Sequence, residues 1–354
     1  MATSYTSTKI IFKGSVFLKQ IYLEKNGQNG YFMYRVPSIV TTAQGTILAC
    51  YECRHGGDWA AMDMVIRRST DGGNTWSERN FIARGNEINV IHNGILFADG
   101  NTVHLLYHKN YRELFYVKSV DDGLNWSAPK NISYVYETLR SEYNWTVIAA
   151  GPGHGMITSK GRMIIPVWVA RNKENITWHG PSVVTTLYSD DHGETWQCGE
   201  IIWDQPDFVD PNESVLAELP DGRIMINCRH VTRNNMRKIG FSPDGIQGWS
   251  DFYFEPQLTE PICAAGMTHN EKHIWFTHCD SNDGSRTNLC LHRTDDGGKN
   301  WRFIRKLSDL GGYSDAFFDP RQEQIFVIAE TGSKVSETDH YFGISVIVLS
   351  AEEL

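Results

Sequence analysis

The sequence has no apolar run of about 18 residues, the length a helix needs to cross a bilayer, so no membrane span is expected. Its opening stretch, Met1 to Lys9, lacks the apolar core of a signal peptide. This is compatible with a cytoplasmic protein or with a removed leader, and leaves the localisation unknown. Basic residues are in deficit: 33 Lys and Arg against 42 Asp and Glu give a net charge of -9. That balance argues against a nucleic-acid partner and requires an anionic ligand to meet a local cluster of arginines. Cysteines number seven, an odd count without a disulfide framework, and the Cys50–Cys53 pair has no second pair to complete a zinc site. They are expected to be reduced and buried. The thirteen histidines show no ligand spacing, and the Thr294–Asn300 segment "TDDGGKN" lacks the Glu that closes a calcium loop, so neither a metal nor a cofactor is expected. Also missing are a helical periodicity, a linker, a low-complexity segment and a charge run. One domain over residues 1–354 is expected, with residues 1–10 as a flexible tail and a monomer as the oligomeric state.

What the sequence does have is a repeat. "STDGGNTW" (Ser69–Trp76), "SVDDGLNW" (Ser119–Trp126), "SDDHGETW" (Ser189–Trp196) and "TDDGGKNW" (Thr294–Trp301) share the pattern [ST]-x-D-x-G-x-[TN]-W. "SPDGIQGW" (Ser242–Trp249) is a degraded fifth copy. The aspartates at 71, 121, 191, 244 and 296 are spaced by 50, 70, 53 and 52 residues. Within each copy the Asp can accept backbone N–H bonds across its own turn, the Gly permits positive φ, and the Trp folds back onto a sheet. Each copy follows a strand-like run such as "MDMVIRRS" or "SVVTTLYS", so each reads as a hairpin turn. A period near 50 with four strands per unit is a propeller signature, and the length accommodates about six such units.

The repeat resembles the Asp-box of the sialidase (neuraminidase) superfamily. The resemblance implies an all-β fold, a six-bladed β-propeller of four-stranded antiparallel blades with Asp-box hairpin turns. The box residues themselves are expected to be structural and to lie on the rim.

Further segments extend the resemblance and carry what it implies about the site. "YRVPS" (Tyr34–Ser38) is similar to the family's Arg-Ile-Pro signature and offers Arg35; Pro37 is expected to hold Val36 extended. "NESVLAELPDGRIMINCR" (Asn212–Arg229) resembles the segment in which a Glu opens one strand and an Arg closes the next, which puts Glu213 and Arg229 in the pocket. "GSRTNL" (Gly284–Leu289) supplies Arg286 before the last box. Arg35, Arg229 and Arg286 then form the family's arginine trio, whose guanidinium forks bind a carboxylate bidentately. Asp58, eleven residues before Ser69, matches the general acid/base, with Gly56 and Gly57 loosening its loop and Asp63 held in reserve. Its pKa would have to rise for it to donate a proton. Arg54 matches a further basic residue of the pocket, and Glu330 a carboxylate that buttresses the first arginine. Asn93, Trp59, Trp145 and Trp168 are candidates for shaping the acyl or glycerol subsites, and "AAGPGHGMI" (Ala149–Ile157) for a structural or rim segment.

"GGYSD" (Gly311–Asp315) resembles the family's Tyr-Ser segment and makes Tyr313 the nucleophile, its two glycines bending the chain toward the axis. A carboxylate nucleophile would be repelled by the sialoside's own carboxylate, whereas a neutral phenol is not. A free Tyr has a pKa near 10, so Glu213 is needed to take its proton. The resemblance thus implies a retaining exo-α-sialidase acting on terminal sialic acids of sialoglycoproteins, gangliosides and oligosaccharides. A sialic-acid lectin would lack the Tyr, Glu or Asp, and a neutral-glucan hydrolase would have no arginine trio. A glycan on the Asn212-Glu213-Ser214 sequon would block the pocket, so an unglycosylated, bacterial-type protein is expected.

Overall fold

A computed structural model describes residues 8–11, 18–87, 89–171, 179–332 and 343–350. Among these, twenty-five strands and one short 3-10 helix, Ser133–Ser141, form five antiparallel sheets. None of the described helical residues forms a span long and apolar enough to cross a membrane. Four sheets are meanders, beginning at Met33–Thr41, Ile91–Asp99, Val147–Ala150 and Ser214–Glu218. The third of these carries an additional short strand, Met156–Ile157.

The fifth sheet has eight strands. It is continuous because one strand, Arg302–Asp319, is 18 residues long and serves two neighbours. Its first half pairs with Thr287–Thr294 and its second half with Gln324–Gly332. The sheet ends on Gly343–Ser350 paired with Leu18–Lys25, which in turn pairs with Thr8–Ile11. Residues 8–10, assigned by sequence to a loose tail, are therefore strand; residues 1–7 lie outside the described residues. The sheet count is five where six separate units were expected, because the long strand fuses two four-stranded stretches.

Each of the four full Asp-box copies makes the turn its sequence dictates. Asp71 Oδ1 accepts from the Asn74 and Thr75 amides at 3.0 and 2.9 Å, and the Ser69 hydroxyl accepts from Gly73 N at 2.9 Å. The copies at Asp121, Asp191 and Asp296 repeat this pattern. Trp76 and Trp196 donate their indole N–H to the carbonyls of Gly73 and Gly193, which closes the hairpin over an apolar plug. Hydrogen bonds from the Thr75 and Thr195 hydroxyls and amides hold the carboxyls of Asp71 and Asp191 down to about 2.

Apolar clusters fill each junction between successive sheets. One, built on Ile95, Phe97 and Ile165, joins the second sheet to the third. Another, built on Ala217, Met225 and Phe276, joins the fourth to the eight-stranded sheet. A further cluster lies within that sheet, between its two halves. The leading strands meet through direct bonds: Leu96 N to Ser38 Oγ at 3.3 Å, Gly155 N to Leu96 O at 2.9 Å and Phe318 N to Thr268 Oγ1 at 2.9 Å. Asp315, 1% exposed, is a further junction. It accepts from Ile39 N and His154 N, both at 2.9 Å, and its Oδ1 lies 2.8 Å from His154 Nδ1. The glycine-rich segment 149–157 is thus packed at the centre, not on the rim.

The segment Gly311–Asp315 is not a turn. It lies inside the long strand, at a register shift between Gly311 and Ser314. Neither Gly311 nor Gly312 has a positive φ. Their role is close approach. A Cβ on Gly311 would meet Cys279 Sγ at 2.9 Å, and one on Gly312 would collide with the Glu330 carboxylate. Val36 also departs from expectation: at φ 53° it is left-handed, at the shift in strand pairing between Arg35 and Ser38. Its amide reaches Glu330 Oε1 at 3.1 Å, a bond that helps hold a conformation costly for a β-branched residue.

Two outcomes follow. Asp71→Ala should lower unfolding stability at pH 7 by about 1 kcal/mol, the size of a lost capping bond. The depressed carboxyl stabilises above its unfolded value near 4 and loses that effect as pH falls toward about 2. The gap between wild type and variant, read by urea denaturation, should therefore close across that window. Gly312→Ala should cost about 1–3 kcal/mol through overpacking, read as a lower thermal midpoint.

Candidate active site

Arg35 and Tyr313, each at a register shift in its strand, line one cavity of about 170 Å³. The sequence-derived candidates Arg35, Arg54, Asp58, Asn93, Glu213, Arg229, Arg286 and Tyr313 all line it. So does Trp168.

Tyr313 is the most connected of them. Its hydroxyl donates to Glu213 Oε1 at 2.7 Å and accepts from Arg229 Nη1 at 2.9 Å. Arg229 also pairs directly with Glu213 Oε2. Glu213 and Arg229 sit just beyond facing strands, Ser214–Glu218 and Ile224–Cys228, and Arg229 N to Glu213 O at 3.2 Å continues the ladder between them. The guanidiniums of Arg35 and Arg286 stand 4.9 and 5.3 Å from the centre of the Tyr313 ring. Three cations thus surround one phenol.

Glu330 lies behind the cavity and is fully buried. It receives Arg35 Nε at 2.9 Å, Arg35 Nη2 at 3.2 Å and the Tyr313 amide at 3.1 Å. Its placement as a buttress of Arg35 therefore agrees with the geometry. Arg286 is steadied by the Ile262 carbonyl at 3.3 Å.

Asp58 lines the same cavity with its side chain 51% exposed. Arg54 Nη1 donates directly to it, and Arg35 Nη1 lies 3.9 Å away. Burial pushes its pKa up, but the charge and hydrogen bond of Arg54, with Arg35 beyond, outweigh this and leave it below the usual carboxylate range. Its pKa would have to rise from there for it to donate a proton. Asp63 is removed from consideration, since it is 5% exposed and bonded to Tyr31 Oη at 2.6 Å and to Gly85 N at 2.9 Å.

Asn93 lines the cavity but spends its amide on the protein: Nδ2 donates to Ala150 O at 2.8 Å and Oδ1 lies 3.1 Å from His92 Nδ1. Trp145 does not reach the site. It is 3% exposed, and its indole N–H donates to Tyr136 O at 3.0 Å inside the apolar core. Trp59 contributes from behind, its ring 4.6 Å from that of Tyr111 and 5.9 Å from that of His179. Tyr111, His179, Val36 and Asn212 also line the cavity, and sequence reasoning did not assign the first three. Tyr111 is a left-handed residue in a tight loop, with nothing in its local pattern to distinguish it.

Among the described residues one group of metal-type donors converges, His278, Cys290 and His292, all buried on adjacent strands. His278 Nε2 lies 3.0 Å from His292 Nδ1 and Cys290 Sγ 3.5 Å from the same nitrogen, while His278 Nδ1 is buried without a partner. Burial first, then His292 and the Arg237 guanidinium, disfavours positive charge on His278. All seven cysteines are free.

Residues 45–323 match the BNR repeat-like domain family. A sialidase of Micromonospora viridifaciens is 27% identical over 274 residues, covering 69% of this chain and 40% of its own length. Sialidase-3 of Rattus norvegicus is 31% identical over 169 residues, 45% of this chain and 37% of its own. The chain thus spans well under half the length of these relatives. Two solved structures share the fold. A Hadza microbial sialidase has a TM-score of 0.77 at 20% identity, over 95% of this chain and 69% of that one. An intramolecular trans-sialidase from Ruminococcus gnavus has a TM-score of 0.72 at 15% identity, over 94% and 97%. The chain belongs to the BNR repeat-like domain family and is a bacterial-type member of the sialidase superfamily.

Proposed function

We propose that this protein is a retaining exo-α-sialidase that hydrolyses terminal α-linked sialic acids from glycoconjugates through a covalent tyrosyl–sialyl intermediate. The observation that carries the reading is the Tyr313–Glu213 hydrogen bond of 2.7 Å inside a ring of three arginines. A phenol so held is a nucleophile with its base in place, in a site built for an anion.

Arg35, Arg229 and Arg286 orient the substrate carboxylate. Asp58 protonates the leaving glycosidic oxygen while Tyr313 attacks the anomeric carbon and passes its proton to Glu213. Asp58 then takes a proton from the water that breaks the tyrosyl–sialyl ketosidic bond, Glu213 returns its proton to the departing phenolate, and configuration is retained after two inversions. For the first step Asp58 must be protonated, which requires the arginines' hold on it to weaken. An arriving carboxylate that engages Arg35 supplies negative charge and excludes water, both of which raise the pKa of Asp58.

The supporting architecture is read as a six-bladed propeller in a single catalytic domain spanning residues 1–354. The eight-stranded sheet counts as two blades, joined where Arg302–Asp319 changes partner at Leu310. Six apolar clusters among the described residues fit six junctions in a closed ring. The substrates are sialoglycoproteins, gangliosides and oligosaccharides, and the protein acts as a monomer without a cofactor.

A 2,3-difluoro sialic acid should label the protein, and peptide mapping should find the adduct on Tyr313; an adduct elsewhere would overturn the assignment. Tyr313→Phe should lower kcat by about 10²-fold or more, as loss of a nucleophile does, with little change in KM. Arg286→Ala should act mainly on KM, read with a fluorogenic sialoside.

A further inference from the structure

Arg54 faces two carboxylates, and only the outer one, Asp58, borders the cavity. The inner one is Glu52, on the strand Ile47–Arg54, with no exposed surface. Its Oε2 accepts from Arg54 Nε at 2.6 Å and lies 2.5 Å from Arg54 Nη2. Its Oε1 accepts from the amide of Asn93 at 2.8 Å. Arg54 is itself only 4% exposed along its side chain. That leaves Nη1 as the guanidinium corner that grips Asp58.

We infer that Glu52 is a positioning residue for the proton-transfer step: it locks Arg54 against the sheet and, through that guanidinium, fixes where Asp58 sits and how firmly it is held as an anion. The inference rests on the sialidase reading above, in which Asp58 transfers the proton.

Two physical facts support it. A buried arginine keeps one orientation only if its donors are met, and Glu52 meets two of them. The same carboxylate offsets part of the charge that Arg54 presents to Asp58. With Glu52 present the Glu52–Arg54–Asp58 chain carries a net single negative charge; with Glu52 neutral it would carry none, and Asp58 would face an undivided cation. The other groups facing Asp58 are Arg35 and His179, and Tyr111 faces both Asp58 and Arg54. Arg35 also faces Glu52, as does Cys50 from the same strand. Burial lowers the pKa of His179 and raises those of Tyr111 and Cys50, so all three are neutral at pH 7. Arg35 and Arg54 therefore supply the positive charge. Asn93 is drawn in through its backbone, which is left-handed at φ 49° and so turns its amide onto Glu52.

The sign of the effect can be worked out. A general acid acts only when protonated, so kcat, which reports the substrate complex in which Asp58 takes up its proton, falls as pH rises through its pKa there. Removing the negative charge of Glu52 strengthens the pull of Arg54 on ionised Asp58 and moves that fall to lower pH. A sialoside with a poor leaving group depends on the proton, whereas an aryl sialoside with a good leaving group depends on it far less.

The experiment compares wild type and Glu52→Gln on sialyllactose and on 4-methylumbelliferyl sialoside, each across pH. The expected result is a loss in kcat of about tenfold or more on sialyllactose, a clearly smaller loss on the aryl sialoside, and an acid shift of the falling limb. Glu52→Asp, which keeps the charge at shorter reach, should restore most of the sialyllactose rate. Should Glu52→Gln fail to fold, the pair replacement Glu52→Gln with Arg54→Gln removes both buried charges at once. It should move the limb to higher pH than in wild type. Equal losses on the two substrates, or a limb that stays put in the folded variants, overturn the role of Glu52 alone. A wild-type protein that releases sialic acid from neither substrate overturns the sialidase reading, and this inference with it.

Discussion

The carboxylate of Glu330 is the contact on which the site depends. It has no exposure to water and accepts from the Arg35 side chain and the amides of Val36 and Tyr313. An uncompensated buried carboxylate would be costly, so these partners are needed by the fold as much as by the chemistry. Their effect is to bring a residue near the start of the chain to one near its end and fix both against a single point. Val36 takes a left-handed backbone and Gly312 gives up its side chain, and both departures serve this contact. Asp315, two residues beyond Tyr313, does the same for the layer beneath by receiving Ile39 and His154. The nucleophile of the proposed reaction is therefore held by its own strand on both sides.

The wall at Asp58 follows another rule. Asp58 is half exposed and bound by an arginine rather than by backbone. Its charge state is set by neighbours that an anionic ligand would recruit, so it can respond to binding. Tyr313 and Glu213 are fixed in advance, whereas Asp58 is conditional. A site that must hold its acid ionised when empty and protonated when occupied has reason to place the two halves on supports of unequal stiffness.

Much of this was legible in the sequence. The Asp-box turns could be read because each depends on atoms within eight residues, and their spacing announced repeated antiparallel units. Arg35, Asp58, Glu213, Arg229, Arg286 and Tyr313 could be found because each lies in a short recognisable segment, and the structure brings all of them to one cavity. What misled was reading local rules where distant contacts decide. Gly311 and Gly312 looked like a bend and are a strand crowded by Cys279 and Glu330. Pro37 suggested an extended Val36, yet a carboxylate almost three hundred residues away holds it left-handed. Trp145 and Trp168 are both packed in apolar clusters, and only packing brings the second to the cavity as well. Glu52, Tyr111 and His179 carried no signal, because their roles come from which strands the fold sets side by side.

The pairing of Leu18–Lys25 with Gly343–Ser350 also bears on biosynthesis. In the sheet carrying Tyr313 and Glu330, a strand made early is the neighbour of one made some three hundred residues later. On the ribosome the early strand waits without its partner, while the intervening meanders can form from local contacts. Gly343–Ser350, which sits between the strand of Glu330 and that early strand, is made after both. A chain halted before that point would hold most of its turns and clusters, yet lack a settled floor to its pocket. Competence would then wait on the synthesis of Gly343–Ser350.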